Sequence, residues 1–126
     1  MSNGVEPTSA RDEVLLWGLV DWVEFLCVHN SVAAADRDAP TSVIQAETLE
    51  LLESIVAEGL FVIGDLSGPG SRFAPWSTPL DESIRRIESK YVDRFDDRLE
   101  WAYACWLDLT DEGARVAEAI EAERGD

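Results

Sequence analysis

Positive charge is scarce in this chain of 126 residues: Lys and Arg number 10 against 26 Asp and Glu, a formal net charge of -16 at pH 7. Such a surface repels phosphates and anionic lipid and attracts basic partners. The plainer alternative is that acidity only keeps a small protein dissolved. Histidine occurs once, at His29, and cysteine twice, at Cys27 and Cys105. No Cys-x-x-Cys, His-Glu-x-x-His or Gly-x-Ser-x-Gly motif occurs, so no metal or nucleophile signature stands in the chain. The longest apolar stretch, Val14 to Val28, is broken by Asp21 and Glu24 and falls short of the roughly 20 residues of a membrane span. The opening MSNGVEPTSARDE lacks the basic and apolar regions of a secretory signal, and the expected compartment is the cytoplasm. Both cysteines lie in apolar runs and read as buried reduced thiols, with a disulfide between them as the alternative that spacing leaves open.

Hydrophobic residues make up 46% and charged residues 29% of the chain, the balance of a globular protein with a core of its own. The expected organisation is a flexible arm over 1–8, one domain over 9–122 and a short tail over 123–126. Ser9-Ala-Arg-Asp12 has the spacing of a capping box. A mostly buried helix is predicted from Glu13 to about Asn30, with Trp17 on its polar stripe beside Glu13, Asp21 and Glu24. A short helical turn is predicted over Val32 to Ala35, and Ser42-Val-Ile-Gln45 offers a second capping box before a helix that Gly59 stops. Leu60 to Leu66 has the composition of a strand, and Ser67-Gly-Pro-Gly-Ser71 that of a turn. A return strand over Arg72 to Trp76 is confined to an edge by Pro75. A further helix is predicted from Asp81 to about Leu99 on the shared face of Ile84, Ile87, Tyr91 and Phe95. From Tyr103 to Leu109 the period is two; Thr110 then caps a last helix with Asp111 and Glu112 in its first turn.

The order of these elements, the segment Val56-Ala-Glu-Gly-Leu60 and the spacing of Leu109, Thr110, Gly113 and Ala117 resemble a winged-helix domain. The resemblance implies an α+β fold, mostly helical, with a small antiparallel sheet and residues 67–102 as an enlarged wing containing an inserted helix. It also implies a DNA reader, typically dimeric, whose helix over Ser42 to Glu58 would meet the major groove. That helix carries Glu47, Glu50, Glu53 and Glu58 and neither Lys nor Arg, which sets its charge against phosphate. Basic residues four apart, Arg86, Lys90, Arg94 and Arg98, are the one candidate nucleic-acid contact, although Glu82, Asp93, Asp97 and Glu100 beside them favour a solvated, ion-paired face.

Catalytic residues are not expected. His29 reads as a partly packed helix residue, and a metal site from Asp21, Glu24 and His29 fails because the three do not share one helix face. No metal or cofactor is expected. Five tryptophans are many for this length. Trp22 and one of Trp101 and Trp106 are assigned to the core, and Trp76 is expected to be partly exposed. The leading expectation is a non-catalytic module that binds a basic protein through Glu47, Glu50, Glu53, Trp17, Asp21, Glu24 and Trp76. Small acidic immunity proteins and antitoxins, which neutralise basic nuclease-like toxins, are similar in size and charge. A DNA-binding winged-helix regulator and a structural homodimer built on the first helix are the alternatives.

Overall fold

A computed structural model describes residues 9–67 and 72–125; the expected arm over 1–8 and most of the glycine turn lie outside them. The first helix, α1 (Ala10–Gly18), begins as its cap requires: Ser9 is extended, and its Oγ accepts the Asp12 amide at 3.1 Å. The helix does not run on to Asn30. It gives way after Gly18 to a turn, a two-residue strand β1 (Val23–Glu24) and a second helix α2 (Phe25–Ala35), which takes in the turn expected over Val32 to Ala35. Two local causes favour the break: glycine is a weak helix former, and the Asp21 Oδ1 accepts the Trp22 amide at 2.7 Å, a bond that competes with the helical ladder. Pairing of β1 with a distant strand then outweighs the helical period, which an apolar run of this kind leaves ambiguous.

After α2 comes α3 (Thr41–Ala57), with Pro40 at its N-cap and no side-chain cap bond. The capping box expected at Ser42 therefore does not form: the Pro40 carbonyl already accepts the Val43 and Ile44 amides, which puts Ser42 inside the first turn. The other end closes as glycine dictates. Gly59 takes φ 80°, its amide bonds Val56 O, and the Leu60 amide reaches back to Ile55 O, the two bonds of a Schellman motif.

Next follow β2 (Phe61–Ser67), β3 (Arg72–Pro75), α4 (Leu80–Tyr91), α5 (Arg98–Ala102), β4 (Trp106–Leu109) and α6 (Asp111–Gly125), so that residues 123–125, expected as tail, are helical. The helix predicted from Asp81 to Leu99 is thus two helices. Asp93, Asp96 and Asp97, poor helix formers, fill the gap between them. The Trp101 indole donates to Phe95 O at 2.9 Å, holding that gap as a turn. The last strand is shorter than its alternation suggests because Tyr103 and Ala104 finish α5, with the Ala104 amide on Trp101 O.

The strands form one antiparallel sheet in the order β1-β4-β2-β3, with Pro75 on the edge strand β3. Val23, Leu107 and Ile63 align across the strands on the buried face; Glu24, Trp106 and Gly64 align on the other. Helices α1, α3 and α6 pack against the sheet, and α2 joins α1, α3 and α5. Phe25, Tyr91 and Trp101 meet edge to face or tilted, with centroids 4.8 to 6.2 Å apart, so α4 and α5 are part of the core. Cys105 is buried, Cys27 half-buried, and both are free thiols.

Candidate functional site

The break after α1 has a consequence at the surface. Where the chain turns from Gly18 into β1, it leaves a groove of about 1090 Å³ between the end of α1, β1 and the outer side of α2. Trp17, Trp22 and Trp106 wall it, Asp21 and Glu24 stand at the α1–β1 end, and Arg37 lies beyond the end of α2. Trp17 is 54% and Val20 74% exposed, a large apolar surface for a chain so charged. The other two indoles are braced: Trp22 stacks on Phe73 with centroids 6.5 Å apart, and Trp106 on Tyr103 at 5.8 Å. Glu24 is paired across the ladder with Trp106, which fixes a carboxylate beside an aromatic wall.

A smaller recess of about 510 Å³ lies on the other side of Trp17, between α1 and α6, where Arg124 approaches Glu13 at 3.5 Å. Glu13 lines both hollows, but part of its charge is matched by this arginine. On the groove floor the Cys27 thiol is pushed up to about 11, first by burial and then by the Glu24 carboxylate; a hydrogen bond with Ser31 opposes the shift and Glu13 adds to it. The field of two carboxylates therefore reaches the floor.

Of the residues expected to bind protein, the structure brings Trp17, Asp21 and Glu24 together in this groove. Glu47, Glu50 and Glu53 stand apart from it on α3, with Glu50 and Glu53 exposed. The Glu47 carboxyl is raised, first by loss of water and then by the neighbouring Asp36. Trp76 is half-buried and engaged within the fold: its Nε1 donates to Asp65 Oδ2 at 2.8 Å, and the Arg86 guanidinium lies 4.0 Å over its ring.

The basic stripe does not survive. Arg86 and Lys90 are on α4, Arg94 is in the turn with its Nη1 3.9 Å from Glu100, and Arg98 opens α5. Trp22 also departs from expectation, since only Trp101, 2% exposed, sits in the core, whereas Trp22 and Trp106 are half-buried at the groove. The signal was present in the strand period: Trp22 and Glu24, like Trp106 and Asp108, are two apart, and a carboxylate two positions away marks the solvent side of a strand.

His29 turns to the opposite chemistry. Its Nδ1 lies 2.5 Å from the Tyr91 hydroxyl, among Tyr91, Phe95 and Trp101, and burial followed by the Arg98 charge lowers its pKa. Among the described residues no group of three or more His, Cys, Asp and Glu side chains could hold a metal ion, and no helix is long and apolar enough to cross a membrane. Comparison of the chain with family models, curated proteins and solved structures yields no match.

Proposed function

We propose that this chain is a non-catalytic protein-binding module on a winged-helix-like scaffold, and that its partner is a basic protein. The groove carries the reading: Asp21 and Glu24 stand among Trp17, Trp22 and Trp106 in a chain of net charge -16. Tryptophan supplies the large desolvated area on which binding hot spots rest, while carboxylates around it steer and select a cationic surface. The scaffold half of the proposal draws on strand order. The order β1-β4-β2-β3, with β3, α4 and α5 between β2 and β4, supports reading the sheet as a winged-helix hairpin with an enlarged wing.

In that plan α3 is the helix a DNA reader would offer to the major groove. Here its carboxylates, Glu47, Glu50 and Glu53, repel phosphate and suit a protein that itself binds nucleic acid. An immunity or antitoxin-like role follows: the module occludes the phosphate-binding surface of a basic, nuclease-like protein. Affinity purification with the wild type and with a Trp17→Ala/Glu24→Gln variant, at low and moderate salt, is the test. A stoichiometric basic protein, released as salt rises and lost with the variant, is the expected result. Recovery of nuclease-sensitive DNA by both forms would transfer the reading to a regulator, which the strand order favours. A homodimer through α1 would bring two acidic patches together, which like charge disfavours; a mass that doubles with concentration would replace the proposal.

A further inference from the structure

Resting on the reading of a basic partner, we infer that the groove receives an amphipathic α-helix whose Lys or Arg side chains meet Asp21 and Glu24. Shape gives the first reason. The floor is one face of α2, where Cys27, Ser31, Ala34 and Ala35 recur at helical spacing. From Cys27 to Ala35 that face runs about 12 Å at 1.5 Å per residue, a little over two turns. Side chains this small admit a second helix at the short end of the usual 8–10 Å interaxial distance. Its apolar stripe would then meet Trp17, Trp22 and Trp106, which line the groove.

An extended peptide fits less well. Strand addition draws its affinity from a row of backbone hydrogen bonds, and the edge strand at the groove, β1, is two residues long. Helix-in-groove recognition needs no such edge, only apolar anchors at intervals of three and four.

Charge sets the direction and class of the guest. The carboxylates Asp21 and Glu24 lie where α1 meets β1, and Arg37 lies past the other end of α2. The complementary segment carries cations at one end and a carboxylate at the other, with large aliphatic residues between. Glu24 is held in place by its strand, opposite Trp106 on β4, at the groove's aromatic wall.

The experiment uses the whole chain and two synthetic peptides of identical Leu and Lys composition, one patterned with the helical period and one strictly alternating. Tryptophan emission reports binding, circular dichroism reports helix gained by the peptide, and alkylation of Cys27 reports cover of the floor. The helical isomer is expected to bind at least about tenfold more tightly, to gain helix on binding and to slow Cys27 alkylation. Ala34→Trp, a change at an exposed position that fills the floor, is expected to abolish these effects, and Glu24→Gln to weaken binding and flatten its salt dependence. Equal binding of both isomers, or indifference to Ala34→Trp, overturns the helical guest and leaves the basic-partner reading standing. Failure of both peptides to bind at low salt overturns the helical guest and the basic-partner reading together.

Discussion

Thr110 donates its hydroxyl proton to the backbone carbonyl of Gly59 at 2.6 Å, with the Leu60 carbonyl 3.1 Å from the same oxygen. The hydroxyl oxygen also accepts the Gly113 amide at 2.9 Å, so one side chain caps α6 and ties it to the end of α3. Thr110→Ala is expected to cost about 1–2 kcal/mol, the upper range for a lost N-cap, and Thr110→Ser to recover most of it. Urea unfolding of the three proteins measures this. Equal stability of the alanine and serine variants would show that the bond contributes nothing.

Gly113 is the companion test. A Cβ there would collide with the Leu60 carbonyl oxygen and crowd the Leu109 side chain. Because the obstacle is backbone, Gly113→Ala is expected to destabilise by about 1–3 kcal/mol, against the gain that Ala normally brings within a helix. The sign of the change, read from the urea midpoint, decides the point.

His29 should make stability depend on pH. Its folded pKa is lowered, by burial and then by Arg98, so below the ordinary value of 6.5 the unfolded chain binds more protons than the folded one. Stability is therefore full above pH 6.5 and declines as pH falls from there toward the folded value. In His29→Gln the decline over that window is expected to shrink, leaving the carboxylates to act at lower pH. Thermal melts from pH 7.5 to 5 make the comparison; parallel curves for both proteins would contradict it.

The two thiols should differ in reactivity. Cys105 is wholly buried and its pKa is raised by that burial, whereas Cys27 is half-buried with a pKa of about 11. Iodoacetamide near pH 8 is expected to label Cys27 slowly and Cys105 only after unfolding. Glu24→Gln should speed the first reaction, since Glu24 is the second cause of the shift after burial. Mass spectrometry of timed samples reads both rates, and an unchanged rate in Glu24→Gln would remove that carboxylate from the groove's field.

Two tryptophans with opposite settings give a further contrast. Trp101 is 2% exposed within the aromatic core, and Trp101→Ala is expected to cost about 3–5 kcal/mol of stability. Trp17 is 54% exposed; Trp17→Ala should leave stability within about 0.5 kcal/mol but remove about 2 kcal/mol or more of partner binding. A variant that unfolds early would mean that Trp17 serves the fold.

These settings differ in how far they could be read beforehand. The cap at Thr110, the stop at Gly59 and the edge position of Pro75 were legible because each rests on chemistry within a few residues. Trp17, Asp21 and Glu24 were legible as a polar stripe on the expected first helix, yet the groove that unites them was not. It exists because Val23 and Glu24 leave the helix to pair with Leu107 and Trp106, residues near the far end of the chain. The same distant pairing carries Trp22 and Trp106 to the surface. The stripe Arg86, Lys90, Arg94 and Arg98 failed for a nearer cause, the aspartate-rich turn that ends α4.

The place of β4 in the sheet also governs when the protein can fold. It is the last of the four described strands in chain order, yet it lies between β1 and β2, and α6, which packs on α1, follows it. As the chain leaves the ribosome, β2 and β3 can pair as a hairpin, while β1 has no neighbour and Phe61 and Ile63 lack part of their cover. Pairing β4 with β1 closes a long loop, whose entropy must be paid before the contacts form. A chain stopped short of Trp106 would therefore hold open strand edges and lack one wall of the tryptophan groove, which β4 supplies from far along the chain after β1.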